Sequence, residues 1–533
     1  MQKTIRLNLT AAYIPLCVSF SGQQTVVRNV EDTNYVITNA YSGEGADKDL
    51  GIPMVIYAEN VLPTIQGMQS VSYKVKIPAS PSFVLNFDQI IAIRDKGEDR
   101  YLFSPAQGIN YISKNNIWKA YPFLNKNSGT VTHAYSQQRT FISYARSGIF
   151  EYNTILDTFE SVIFSGLNAD AINGITNANN YVIAWDDTTV YYSSAINPTD
   201  FVPSLSSGAG ATQVTQVRGK IICCLPTADG FIIYTTANAV SATYTDNIRF
   251  PWRFKEIDGS AGINSPEHVS YDANYSGHFA WTESGLMAIT KDKANLVFPE
   301  ITDFITNKLV EEYQGETGLQ SHQNQEPLFS SETQEFTTRA FGKNQIEEYH
   351  LTTQPHVKVT FIGSRYLAFS YGYRTEWFDW VIVYDFALRR FGKLKIYHAD
   401  CFHSIPTPGA QLVAKDIFGF LKPDGTVVTV DFSDSATDSA VMLFGRIQHT
   451  RGKLLEIQEI ELTSVRPLAT TIEILPSNDG KNFIPAVIPD RFISERNYTK
   501  WHSRVTAVNF TLAIKGTFSA VDLLLQVVVR GTR

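Results

Sequence analysis

The chain has 533 residues, of which 44% are hydrophobic and only 18% charged, and a net charge of −7. That length exceeds one ordinary core, so several domains or a repeat architecture are expected. An acidic balance without a basic stripe excludes a protein that grips nucleic acid by its phosphates, and no apolar run approaches the ~18 residues of a membrane-spanning helix.

The 26 Tyr and 33 Phe, with little Met, favour half-buried pleated surfaces over helices. At the start, Lys3 and Arg6 precede an apolar stretch that Asn8, Thr10 and Pro15 interrupt. No small-residue cleavage pattern follows, so Thr4–Leu9 reads as an alternating strand rather than part of a leader. Residues 1–82 form a lead-in, with strands at Thr25–Val30 and Val71–Ile77 around a Gly/Asp-rich loop, Ser42–Gly51.

A rhythm of apolar strand, turn and Tyr/Phe-rich strand begins near residue 83. It runs through Phe87–Arg94, Arg100–Ser104, Gly108–Ser113, Arg139–Ala145, Gly148–Asn153, Phe159–Phe164, Asn180–Trp185 and Thr188–Ser193. It continues through Lys220–Leu225, Gly230–Thr235, Ala239–Thr243, His278–Thr282, Gly285–Thr290 and Asn295–Phe298. Tyr366–Tyr371, Asp379–Asp385, Arg390–Ile396, Gln411–Lys415, Ile417–Lys422 and Thr426–Asp431 complete it. Equivalent points lie roughly 40–50 residues apart, the period of four-stranded propeller blades. One such sheet cannot bury both of its faces, whereas radial stacking covers them. The spacing predicts an all-β chain: a β-propeller of six or seven units over 83–436, interrupted by an insertion at about 300–356.

The insertion opens with a helical pattern, Ile301, Phe304, Ile305 and Leu309 sharing one face. It then carries Glu311, Glu312, Glu316, Glu326, Glu332, Glu335, Glu347 and Glu348 against few basic residues, and reads as an acidic loop. Loops of that length are usually functional or disordered, and a gate or a partner contact is the functional reading. Residues 437–533 change character. Val441–His449, Leu454–Leu462, Thr471–Pro476, Ala507–Ile514 and Asp522–Val529 have the spacing of a C-terminal β-sandwich.

The search for chemistry finds little. Cys17, Cys223, Cys224 and Cys401 include no C-x-x-C and read as reduced, packed thiols. His398, Cys401 and His403 are the closest group of metal-ligand types, but a strand would converge only two of them. There is no G-x-S-x-G, H-E-x-x-H or Gly-rich phosphate loop. Ser477–Phe483 departs from the sialidase aspartate box, with its glycine one place early and a single copy, and reads as a turn. No catalytic residue, cofactor or metal is expected. The aromatic run Trp377, Phe378, Asp379, Trp380, near Tyr371, Tyr373 and Tyr384, is a candidate interface or sugar-stacking patch, with packing between sheets as the plainer reading.

Two stretches carry a family resemblance. The first is Trp185–Ser194 followed by Asn197-Pro198-Thr199-Asp200-Phe201. The second is the C-terminal order Phe444-Gly445-Arg446, Glu456–Leu462, Ser477–Phe483, Lys500-Trp501 and Val508-Asn509-Phe510. These resemble the tail nozzle or tail hub proteins of short-tailed bacteriophages. The resemblance implies a structural virion protein, a homohexameric ring at the tail tube through which genomic DNA passes without sequence-specific binding. It also implies adaptor and fibre proteins as partners, and synthesis in the bacterial host cytoplasm. From another class, the alternative is a glycan-binding or glycan-degrading receptor-recognition propeller that uses Trp377, Phe378 and Trp380.

Overall fold

The computed structural model describes residues 2–8, 50–51, 55–65, 67–78, 87–95, 98–105, 111–114, 117–120, 130–153, 155–156, 158–271, 277–298, 301–302, 328–330, 335–337, 356–362, 365–372, 377–403, 418–431, 440–444, 447–449, 453–464, 470–478, 489–494 and 498–530. Over these the chain is nearly all β.

Its middle is a succession of four-stranded antiparallel sheets. Sheet I holds Phe87–Asp95, Glu98–Pro105, Tyr111–Lys114 and Ile117–Ala120. Sheet II holds Val131–Ser136, Arg139–Tyr144, Gly148–Asn153 and Thr158–Ser161. Sheet III holds Gly174–Ala178, Tyr181–Trp185, Thr189–Tyr192 and Gly210–Gln213. Sheet IV holds Ile221–Thr227, Gly230–Thr235, Ala239–Tyr244 and Trp252–Glu256. Sheet V holds Val269–Tyr271, Gly277–Thr282, Gly285–Thr290 and Ala294–Leu296. Sheet VI holds His356–Ile362, Tyr366–Gly372, Phe378–Asp385 and Arg390–His398. Sheet VII holds Asp400–His403, Phe418–Leu421 and Val427–Asp431, and its fourth strand is Ser72–Ile77 from the lead-in.

Second strands show why these segments form sheets. Tyr181–Trp185, Gly230–Thr235 and Tyr366–Gly372 are buried at every position. A strand so rich in Tyr, Ile, Val and Phe must be covered on both faces. The cover is the neighbouring sheet. One apolar cluster joins Phe141 and Ile149 of sheet II to Ile175 and Val182 of sheet III. Another runs from Ile183 through Ile232 to Ile289, across sheets III, IV and V. A third joins Leu367's neighbours Tyr366 and Ala368 in sheet VI to Phe420 and Val428 in sheet VII. Turn chemistry sets the hairpins: Asp186 Oδ1 accepts from the backbone N–H groups of Thr188 and Thr189 at 2.8 and 2.7 Å. Gly148 and Gly285, at equivalent turns into third strands, have φ of 109° and 114°, which favours glycine.

Sheet VI does not end at Arg390–His398. It continues through Val61–Pro63 and Met68–Ser70 to Ser519–Val529, Leu455–Ser464, Tyr498–Ala507 and Asp490–Ser494, while Gln2–Asn8 pairs with Ser519–Val529. A second C-terminal sheet orders Leu50–Gly51, Ile447–His449, Asn509–Gly516, Ala440–Phe444 and Val55–Glu59, with Thr470–Ser477 also on Asn509–Gly516. The two share one core, in which Ile457, Trp501 and Leu525 meet Met442, Ile474 and Leu512. The lead-in is thus distributed: its strands pair with sheet VI, sheet VII and both C-terminal sheets. Gln2–Asn8 matches the strand expected at Thr4–Leu9, while Thr25–Val30 lies outside the described residues. The same is true of the helix expected from Ile301, except that Ile301 and Thr302 are helical and Ile301 is buried.

Candidate functional site

The chemistry-bearing residues gather in the seams between consecutive sheets, mostly along first strands. Gln89 of sheet I clasps the backbone of Val131 of sheet II at both ends of its amide: Nε2 donates to Val131 O at 3.0 Å, and Val131 N donates to Oε1 at 3.2 Å. Ile175 N of sheet III donates to Thr132 Oγ1 of sheet II at 2.8 Å. Phe361 N of sheet VI donates to Ser270 Oγ of sheet V at 2.8 Å, and Thr360 Oγ1 of sheet VI donates to Cys401 O of sheet VII at 3.2 Å. Each bond satisfies a backbone group that the ladder of its own sheet leaves over.

Between sheets IV and V the clasp is an imidazole. His278 Nε2 lies 2.9 Å from Pro226 O, which can only accept, so Nε2 carries the proton. Nδ1 is then the acceptor for Tyr234 OH, also at 2.9 Å. Burial holds His278 down to about 4.

The densest cluster joins sheets V, VI and VII. Lys358 Nζ sits 2.5 Å from Asp400 Oδ1 and 3.7 Å from Glu267 Oε1. His356 Nε2 donates to Glu267 Oε2 at 3.1 Å. Burial works against charge on Lys358, but the two carboxylates outweigh it and raise its pKa. Burial likewise opposes ionisation of Glu267, yet Lys358 and His356 bring it down to about 2. One ammonium therefore ties sheets VI and VII to the 3-10 turn Pro266–His268 that leads into sheet V.

The aromatic patch adjoins this cluster. Phe378 is buried, stacked on His356 at 4.3 Å and lying 5.4 Å from His398. Trp380 is half-buried, with Lys393 Nζ 4.2 Å and Lys395 Nζ 5.3 Å from its ring centre. Trp377 is half-buried beside them. Phe378 and Trp380 thus face imidazoles and ammonium groups of the same chain.

His398 of the anticipated His/Cys group is fully buried. Its Nδ1–H donates to Ile396 O at 2.7 Å and its Nε2 accepts from Ser370 Oγ at 2.8 Å; burial holds its pKa near 3. A serine on an imidazole resembles a nucleophile with its base, but both side chains are sealed from solvent and the pair serves packing. Among the described residues no group of three His, Cys, Asp or Glu side chains is placed to hold a metal ion. Cys223, Cys224 and Cys401 are buried free thiols, and Cys17 lies outside the described residues. Of the acidic loop, Glu335 opens the strand Glu335–Thr337, which pairs with Leu328–Ser330. Glu311, Glu312, Glu316, Glu326, Glu332, Glu347 and Glu348 lie outside the described residues.

Sequence reasoning missed Glu267, Lys358 and Asp400 as a group. Their separation along the chain leaves no local motif, and only the placement of the 3-10 turn Pro266–His268 beside the first strands His356–Ile362 and Asp400–His403 unites them.

No family model matches this chain. No curated protein matches it either. Among solved structures, the computationally designed Ika8 protein is similar over 68% of this chain and 100% of its own length, at 9% identity and a TM-score of 0.34. A likeness of that size carries no functional argument.

Proposed function

We propose that this chain is a structural virion protein of a bacteriophage tail, a nozzle or tube component whose copies form a ring through which DNA passes during ejection. The sheets are read as seven blades of a closed β-propeller, and the two C-terminal sheets as a β-sandwich fused to its side. The observation that carries the reading is the order of first strands. Val131–Ser136 lies against Gly174–Ala178, that strand against Ile221–Thr227, Val269–Tyr271 against His356–Ile362, and His356–Ile362 against Asp400–His403. Asp400–His403 in turn lies against Phe87–Asp95, bringing the last sheet back to the first. Ser72–Ile77 completes the last sheet with a strand from before the first, so that chain ends are locked across the junction.

Such a body resists deformation because its polar groups are spent on joining sheets. A rigid wall that interacts weakly with DNA is what a conduit requires, and a net charge of −7 per copy disfavours phosphate binding. The glycan reading draws less support: stacking on sugar needs an open aromatic face, whereas Phe378 is packed between imidazoles and Trp380 lies under Lys393.

Two assays test the proposal together. Antibodies against the purified protein should decorate the tails of the phage particles that contain it, and a glycan array read for both binding and hydrolysis should stay blank. Labelling confined to host material, or cleavage of a defined glycan, would overturn it.

A further inference from the structure

The net charge of the molecule comes from one stretch. Between Ser147 and Val217 there is no Lys, Arg or His, while seven acidic residues occur there; outside it acidic and basic residues balance at 45 each. This stretch builds most of sheets II and III. It also carries apolar side chains that face solvent: Ile163, after the last strand of sheet II, is 90% exposed, and Ile196 and Leu205, in the loop between the last two strands of sheet III, are 75% and 65% exposed.

The loop 193–209 is held firmly. Phe201 anchors it in the core beneath, against Phe164 at 6.0 Å, and Ser165 pairs with Asp200 across the seam. Next along the rim is the loop 245–251 of sheet IV, pinned by Thr245 N to Pro251 O and Phe250 N to Asn247 O. It touches its neighbour so closely that a Cβ on Gly208 would fall 2.9 Å from Ile248 O. This loop presents Phe250, 68% exposed, flanked by exposed Arg249 and Arg253. Among the described residues neither guanidinium has an ion-pair partner, and neither do the carboxylates of Glu160 and Asp170 on the other half of the rim.

Glu151 and Asp187 of the acidic stretch are paired, with Arg139 and with Arg146 and Lys220, which leaves Glu160 and Asp170 as its exposed carboxylates among the described residues, beside a run of exposed apolar side chains, while the loop 245–251 carries an aromatic ring between two arginines. Bands of this kind mark interaction sites, and complementary charge selects the partner. We propose that the partner is a second copy of this chain: the Phe250 loop with Arg249 and Arg253 docks on the acidic rim of sheets II and III of the next copy. Preformed loops lower the ordering cost of such a contact. The two halves are different surfaces, so head-to-tail repetition generates a ring when the rotation closes. This rests on the tail-ring reading for its biological meaning, but the surface stands on charge and exposure alone.

The test is mixing of charge-reversed full-length variants, followed by sedimentation and negative-stain images. Wild type should assemble in a salt-sensitive way. Arg249→Glu with Arg253→Glu, or Glu160→Arg with Asp170→Arg, should each weaken assembly by about ten-fold or more with an unchanged thermal midpoint. Mixing the two should restore assembly. Phe250→Ser provides a charge-neutral variant with the same expected loss. Assemblies that persist in all these variants would overturn the surface while leaving the ring reading intact. Two-copy assemblies that the variants break and the mixture restores would support the surface and overturn the ring. A wild-type chain that stays a monomer would overturn both.

Discussion

His278 and His398 sit in seams where an imidazolium has no place. Each satisfies a backbone carbonyl with one nitrogen and accepts a hydroxyl proton with the other, which requires the neutral ring. Their folded pKa values, about 4 and about 3, lie below the ordinary 6.5. The unfolded chain therefore binds more protons between those limits. The associated stability is present above about pH 6.5 and is lost as pH falls towards 4, by about 3 kcal/mol for His278. Urea midpoints measured from pH 7 to pH 4 should fall accordingly. His278→Gln should cost about 1–3 kcal/mol at pH 7 and flatten part of the acid slope; an unchanged slope would refute the assignment. Lys358 offers a second contrast. Lys358→Met removes the ammonium that faces Glu267 and Asp400 and should cost about 3–5 kcal/mol, whereas adding Asp400→Leu and Glu267→Leu should recover much of that, because buried pairs contribute little net stability over apolar replacements. Equal loss in the single and triple variants, read by thermal unfolding, would contradict this.

At the scale of elements, the lead-in is the part most at risk of misreading. Six of its described strands pair with segments hundreds of residues away, and Tyr73 OH donates to Asn60 Oδ1 at 2.7 Å beside the strand Arg390–His398. Cleavage at an engineered protease site between residues 79 and 86 should leave the N-terminal fragment bound to the remainder on a sizing column. Separation should require denaturant; separation in native buffer would contradict the shared sheets. The sequence made the second and third strands legible because Tyr181–Trp185, Gly230–Thr235 and Tyr366–Gly372 are apolar on both faces. Most first strands were hidden. Gly174–Ala178 and Val131–Ser136 mix glycine and polar residues, because their side chains make the bonds between sheets. Ala294–Leu296 and Thr158–Ser161 are short outer strands with exposed residues, and the strands expected at Asn295–Phe298 and Phe159–Phe164 overlap them only in part. That Ser72–Ile77 belongs with Val427–Asp431 could not be read at all, since pairing over such a distance leaves no local trace. The cluster of Glu267, Lys358 and Asp400 was hidden for the same reason, while Phe378 and Trp380 were visible as an aromatic run but not as rings covered by His356 and Lys393.

On the scale of the whole molecule, the proposed architecture converts many small sheets into one stiff body. Each sheet alone is too small to be stable, and the apolar clusters belong to the interfaces between sheets more than to any one of them. Unfolding should accordingly be cooperative across sheets II to V, with a single transition by calorimetry and by near-ultraviolet dichroism. Resolved transitions for these sheets would argue for separate units. The claim on which the account turns is that copies of this stiff body build a conduit. Electron microscopy of the purified full-length protein, averaged by class, addresses it directly. The account predicts rings with an axial opening wide enough for duplex DNA, each subunit showing a disc with a lobe at its side. A population of single discs at every concentration, or assemblies closed at the axis, would contradict it.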